Sequence, residues 1–289
     1  MGAIAYITDS KMLEMHRLNA HKEMNFWRVT TKTIFSDFYK GDLVFFLSKD
    51  KEQMKKKEKG IVGYGKLEDI HTYAPKTMWN KFGKLNGYNT YDEFKEAIEK
   101  VTKDHNLPKK ISSFYLKNIV FFQAPIYLSE LGMKVSAKME SYVYIKPEEA
   151  VIGLLEYGKN AIDIWSSDDD RDLVDDEQLI QAIKLAHKEI GDLQMSENRL
   201  KQAFRTMKKI VENNPGCDFI GRSRTDLCLV DKKDVLIVLY DAKDIDKRSL
   251  IGQSQLYKKY IRKYYPNEYK IYFKTSDNDK KFNDLINNL

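Results

Sequence analysis

Cysteine is nearly absent from this chain: Cys217 and Cys228 are the only two in 289 residues. Two thiols build neither a disulfide framework nor a four-ligand zinc site, so they read as reduced thiols in or near a core. Long hydrophobic runs are missing as well. No segment approaches the roughly 20 apolar residues that a membrane-spanning helix needs. The first residues, MGAIAYITDSK, lack a basic region ahead of an apolar stretch, and Tyr6 stands where a myristoylation signal requires Ser or Thr. The expected location is therefore the cytoplasm. The five histidines, His16, His21, His71, His105 and His187, are scattered, with no H-E-x-x-H or H-N-H spacing. No G-x-S-x-G elbow and no Cys–His signature is present, which leaves serine-hydrolase, thiol and zincin chemistry without support. No repeat of 20–50 residues is visible.

What is present describes a globular protein: 42% hydrophobic, 32% charged and 12% aromatic residues. The length accommodates two domains, each with its own core. A net charge of +6 and a pI near 8.9 are compatible with a nucleic-acid partner without requiring one. The acidic, polar run Ser166-Ser-Asp-Asp-Asp-Arg-Asp172 marks a linker, so the expected division is a domain over 1–165, a linker over 166–176 and a domain over 177–289. Consecutive Asp residues of this kind resemble a metal cluster, but an unpatterned polar run is more often solvated.

The most informative stretch is 221–260. Two apolar runs, Leu227–Val230 and Val235–Tyr240, flank Asp231-Lys232-Lys233-Asp234, the pattern of a β-hairpin. With Asp231 paired to Asp234, Asp226 lies opposite Leu239 and one diagonal step from Asp241. Alternation then places Asp226, Asp241 and Lys243 on one face. Two carboxylates and an ammonium on one edge suit metal-assisted phosphodiester hydrolysis, in which Mg²⁺ is held by carboxylates and the lysine orients water. Glu212, in the last turn of a helix over Ser196–Asn213, is a candidate third carboxylate. That helix carries Leu200, Phe204, Met207 and Val211 at core spacing.

These residues resemble the PD-(D/E)XK nuclease superfamily. Thr225-Asp226 matches its first motif, with Thr in place of Pro, and Asp241-Ala242-Lys243 its second, in the Asp form. Gln253-Ser-Gln-Leu-Tyr257 looks like the Q-x-x-x-Y element of RecB-like members. The resemblance implies an αβββαβ core, catalytic roles for Asp226, Asp241, Lys243 and Gln253, and Mg²⁺, or Mn²⁺ substituting for it. The metal ligands it implies are Asp226, Asp241 and the backbone carbonyl of Ala242.

The first 150 residues read as strands separated by turns, with a helix over Thr90–Asp104 opened by a Thr90-x-x-Glu93 capping box. Gly60-Ile-Val-Gly-Tyr-Gly-Lys66 fits G-x-x-x-x-G-K on paper. It is not a P-loop, because Leu67 occupies the metal-binding Ser/Thr position and no helix-forming stretch starts there. Glycines at this spacing suit a bent strand. The basic run from Lys49 to Lys59 reads equally as a solvated hairpin tip or a phosphate-contacting loop.

Trp27-Arg28-Val29, Gly41-Asp42-Leu-Val-Phe-Phe-Leu-Ser48, Ile61-Val62-Gly63-Tyr64-Gly65, Trp79, Asn86-Gly87 and Asn118–Pro125 together resemble the EVE family of PUA-like barrels. Phe46-Leu47-Ser48 departs from that family's Tyr-His-Ser. The resemblance implies a small barrel with helices at its ends that recognises a modified base flipped into an aromatic pocket, with Trp27 and Trp79 as walls and Ser48 as a polar partner. As a whole, the expectation is a two-domain α+β / α/β protein acting as a modification-dependent endonuclease, similar to type IV restriction enzymes. Its expected partner is double-stranded DNA carrying modified bases, and a homodimer is expected for double-strand cleavage. The alternatives are a nuclease directed at RNA and a nucleic-acid-binding protein with a degenerate nuclease fold.

Overall fold

The computed structural model describes residues 2–30, 35, 37–53, 58–133, 141–160, 168–242 and 245–289; within these, the side chains of 49–53 and 168 are not described. Lys243 and the first residues of the expected linker lie outside them, as do the tip of the basic 49–59 run and parts of 30–39. The chain forms two compact units, Met1–Arg171 and Asp172–Leu289, both of mixed helix and strand.

The first unit is built on six strands: β1 (Ala3–Thr8), β2 (Glu23–Arg28), β3 (Leu43–Gln53), β4 (Glu58–Tyr73), β5 (Ile111–Ile126) and β6 (Tyr142–Tyr144). They lie in the order β2-β5-β4-β3-β1-β6, with β1 and β3 parallel. The sheet ends at β2 and β6, so among the described residues backbone pairing does not close the expected barrel. The stretch Gly60–Lys66 lies inside β4, as its rejection as a P-loop requires. A Cβ at Gly63 would meet the Val120 carbonyl oxygen at 2.4 Å and one at Gly65 the Ile119 Cδ1 at 2.5 Å, so both glycines serve the close approach of β5.

Helix α1 (Ser10–Leu18) is capped by Asp9, whose side chain accepts from the Met12 N–H. Helix α2 (Pro75–Phe82) carries Pro at its first position, the one place where the missing N–H costs nothing. Helix α3 (Tyr91–Val101) is capped by Thr90 as its capping box predicts. Helix α4 (Glu149–Asn160) follows. Buried Met78, Phe94, Ile98 and Ile111 form a core beneath α2 and α3.

Helix α5 (Asp168–Ile190) begins within the expected linker, so Asp168 to Asp176 are helical, and the division of the two units falls inside that stretch. Aspartates suit a helix N-terminus, where exposed N–H groups and the macrodipole favour negative charge. In the second unit come α6 (Glu197–Asn213), β7 (Asp218–Phe219), β8 (Asp226–Asp231), β9 (Asp234–Leu239), α7 (Lys247–Tyr264), β10 (Lys270–Thr275) and α8 (Lys280–Asn288). The sheet order is β10-β9-β8-β7, with β10 parallel to β9 and the others antiparallel. Helix α6 departs from its expected core face: Ala203 and Met207 are its buried residues, and Leu200 and Val211 are half-buried. Phe204 is 39% exposed and stacks on Phe219 at 4.9 Å.

The hairpin has the expected register, Asp231 opposite Asp234 and Asp226 opposite Leu239. Its connection is tighter than four residues: Lys232 and Lys233 alone turn the chain, both with positive φ (47° and 71°), as in a type I′ loop. Lysine is a poor residue there, and the Asp176 carboxylate compensates by accepting both of their N–H groups, at 3.3 and 3.2 Å. Lys232→Asn should relieve the left-handed strain and raise stability by about 1 kcal/mol. Urea denaturation of the full chain checks this, and an unchanged or lower midpoint contradicts the turn assignment.

Candidate functional site

Asp226 opens β8, and the loop before it places its carboxylate. Ser223 Oγ accepts the N–H groups of Thr225 (3.1 Å) and Asp226 (2.8 Å) and donates to Asp192 Oδ1 at 2.5 Å. The other Asp192 oxygen accepts the Arg224 N–H at 3.2 Å. Asp192, in the turn after α5, therefore pins the whole Ser223–Asp226 corner. Thr225 Oγ1 stands 3.0 Å from both Asp192 Oδ1 and Asp226 Oδ1, with one proton to give.

The Asp226 side chain is fully buried. Its Oδ2 accepts from Gln253 Nε2 and from the Tyr257 hydroxyl, both at 2.6 Å. Gln253 and Tyr257 lie four residues apart, one turn along the buried face of α7. His187, near the end of α5, closes the group: Nδ1 lies 2.8 Å from the Tyr257 hydroxyl and 3.7 Å from Asp226 Oδ2, and Nε2 3.5 Å from Asp192 Oδ1. Burial pushes the Asp226 carboxyl up to about 7, with the Asp192 charge adding and the bonds from Tyr257, Thr225 and Gln253 opposing. Burial lowers His187, opposed by Asp192, and burial followed by the Asp226 charge holds Tyr257 well above the usual phenol range.

One ligand atom each from His187, Asp192 and Asp226 lies within 4.8 Å of the others, the cluster able to hold a cation among the described residues. Two carboxylates and an imidazole fit a divalent cation such as Mn²⁺ or Mg²⁺, with the nitrogen favouring Mn²⁺. Composition alone gave no sign of His187 or Asp192. Helical spacing marks His187 as lying on α5, but only the fold brings it to Tyr257, 70 positions away.

Asp241 lies two residues past Leu239, just beyond β9. Its N–H donates to Ser276 Oγ at 2.9 Å, and that hydroxyl donates back to the Asp241 carbonyl at 3.2 Å. Burial raises its carboxyl; Lys247 opposes this, and Asp277 and Asp279 add to it. The Ala242 carbonyl accepts the Ile245 N–H at 2.9 Å. Glu212 is not brought to this cluster: its side chain is 61% exposed and faces Lys208 at 3.9 Å.

In the first unit, the structure separates the three expected pocket residues. Trp27 and Trp79 are half-buried in the core under α2 and α3, with ring centroids 5.5 and 5.8 Å from Phe94, and Trp27 Nε1 donates to the Asn86 carbonyl at 3.2 Å. Ser48 lies elsewhere, buried on β3 with its Oγ 3.1 Å from Ser10 Oγ. It lines a cavity of about 400 Å³ together with Lys11, Glu14 and Arg17 of α1, Val62 of β4 and Phe121 of β5.

No protein-family model and no curated protein matches the chain. Among solved structures, the crystal structure of ASCH from Zymomonas mobilis is similar at 15% identity over 52% of this chain and 91% of its own, with a TM-score of 0.35. A mutant form of that protein is similar at 12% identity over 53% and 95%, with a TM-score of 0.36. At these scores the likeness assigns neither fold nor activity.

The raised Asp226 carboxyl fixes the sign of a pH effect. A carboxyl raised on folding contributes stability that is complete below its unfolded value near 3.8 and is lost as pH rises through about 7. In metal-free buffer, the stability of the wild type relative to Asp226→Asn should therefore fall between pH 4 and pH 7. Parallel denaturation curves of the two proteins across that range check it, and a difference independent of pH refutes it.

Proposed function

We propose that the chain is a metal-dependent endonuclease whose second unit hydrolyses phosphodiesters and whose first unit reads a modified base. The observation supporting the first half is the enclosure of Asp226. A carboxylate removed from water is costly unless paired or metal-bound. Here it is surrounded by an imidazole, a second carboxylate and two fixed donors, and the hairpin register puts Asp241 two residues past its cross-strand partner, Leu239. A structural aspartate would need only the donors. The His187 imidazole, bonded to the Tyr257 hydroxyl at 2.8 Å, adds a nitrogen ligand to the two carboxylates.

The chemistry a bound Mg²⁺ or Mn²⁺ supplies is neutralisation of phosphate charge and a more acidic water. The chain's own contribution is orientation. Gln253 and Tyr257 fix Oδ2 of Asp226, leaving Oδ1 toward Thr225. Asp192 opposite His187 Nε2 sets the imidazole so that Nδ1 faces Asp226. Lys243 takes the water-orienting role that its motif position implies.

For the reader, the Ser48 cavity fits a flipped base better than the tryptophans do. Its volume lies in the range of small-ligand pockets. Phe121 and Val62 offer apolar faces, Ser48 and Glu14 hydrogen-bonding groups for a polar edge, and Lys11 and Arg17 charge for the flanking phosphates. In a PUA-like reading, this cavity takes the place expected of a pocket walled by Trp27 and Trp79.

Two tests separate the halves. Incubation with Mg²⁺ or Mn²⁺ and matched modified and unmodified duplexes should give cleavage that Asp241→Ala abolishes without loss of folding. Wild-type cutting by purified Asp241→Ala removes Asp241 from the metal ligands, wild-type cutting by Asp226→Ala refutes the metal site, and cleavage of RNA in place of DNA moves the substrate to RNA. For the reader, Ser48→Leu should fill the cavity and remove the preference for the modified duplex. Trp27→Ala should instead lower stability by about 3 kcal/mol, as truncation of a core aromatic does. The reverse pattern restores the tryptophan pocket.

A further inference from the structure

Helix α7 has two unlike faces. Leu250, Gln253, Ser254, Tyr257 and Ile261 are buried, and two of them hold Asp226. Six of its 18 residues are Lys or Arg and none is Asp or Glu. At 100° per residue, Arg248, Gly252, Gln255, Lys259, Arg262 and Lys263 fall together on the side away from the buried face, and all but Gln255 are exposed.

Some of this charge is locally answered. Arg248 pairs with Asp246 at 3.0 Å, and Lys263 stands 3.9 Å from Glu189. Among the described residues, Lys259 and Arg262 have no carboxylate in salt-bridge range; Lys259 lies only near the Tyr260 ring. An exposed helix ordinarily mixes signs, because i,i+4 pairs stabilise it. This one does not.

Gly252 is the second, independent observation. It sits in mid-helix, where glycine costs about 1 kcal/mol relative to alanine. No packing accounts for it, since a Cβ there would meet nothing within 4 Å. Nor does backbone conformation, for its φ is not positive. A glycine that nothing inside the protein requires is accounted for by something approaching from outside. It lies next to Gln253, the residue bonded to Asp226.

We propose that the outward face of α7 holds the sugar-phosphate backbone of a nucleic acid, with Gly252 the point of closest approach and Lys259 and Arg262 the phosphate contacts. This rests on the nuclease reading for its substrate. The chemistry it needs, repeated anions spaced along a smooth cationic helix, is that of a nucleic-acid backbone.

The test measures binding of fluorescein-labelled duplex and single-stranded DNA and RNA to the full chain in Ca²⁺, which suppresses cleavage, over a series of salt concentrations. Gly252→Ala and Gly252→Leu should raise the melting temperature, because both are better helix formers, while Gly252→Leu weakens binding at least tenfold. The Lys259→Gln/Arg262→Gln double variant should lower the salt slope by about 2, near 0.9 for each phosphate no longer neutralised. A Gly252→Leu protein that is more stable and binds like wild type, with an unchanged slope in the double variant, overturns the proposal. So does a wild type that binds none of the probes at low salt. Cleavage of unlabelled duplex by the wild type in Mg²⁺ is scored separately. Cleavage with unaffected binding removes the α7 face and keeps the nuclease, whereas α7-dependent binding without cleavage does the opposite.

Discussion

The second unit depends on the burial of one carboxylate. Asp226 is out of reach of water, and a charge there is tolerable only because Gln253, Tyr257 and Thr225 point at it. Those donors come from α7 and from the corner before β8, and Asp192 at the end of α5 secures that corner through Ser223. Three elements distant in sequence are thus tied to one atom pair. Removing any donor leaves a buried charge short of a partner, which costs more than the bond itself contributed. The hydrogen bonds about Asp226 therefore also tie α7 and the turn after α5 to the start of β8.

Local chemistry in the sequence specified the hairpin. The alternation of apolar runs about Asp231–Asp234 fixed the register because slipping by one residue would move every side chain to the other face. Gln253 and Tyr257 stand out in the sequence only through resemblance to the Q-x-x-x-Y element, and the structure supplies a reason for that spacing: one helical turn brings both to Oδ2 of Asp226. His187 and Asp192 were not legible, because their meaning lies in an approach to Asp226 from 39 and 34 positions away. Asp168–Asp172 is ambiguous for the opposite reason. A run of aspartates is the composition of a solvated loop and equally of a helix N-terminus, and only the helix that follows decides.

The first unit shows where composition fails. Trp27 and Trp79 are aromatic, only half-buried and gathered about one core, all of which a base cage could use. Both are held against Phe94 by core contacts, and Trp27 spends its only donor on the Asn86 carbonyl. A cage differs from a core in leaving one ring face open, and no spacing rule encodes that difference. Ser48, a polar partner only by the EVE resemblance, does line a cavity, because alternation along β3 decides which side chains point toward α1 and which toward the core.

Two cationic features of the second unit differ in how far they are answered among the described residues. Lys232 and Lys233 occupy left-handed positions, and their N–H groups and one ammonium are matched by Asp175 and Asp176 of α5; that charge is consumed by the fold. Lys259 and Arg262 have no such match, and the glycine on their face contributes nothing to the helix that carries them. A protein interior selects residues for the contacts they make. Where a costly residue makes none and unanswered charge lies beside it, a contact with another molecule would account for both, which is what the proposed nucleic-acid backbone supplies. The same reasoning joins the two faces of α7: its buried side fixes the carboxylate proposed to do the chemistry, so its outward side is rigidly related to that carboxylate. A backbone held there would be positioned by the same helix that positions Asp226.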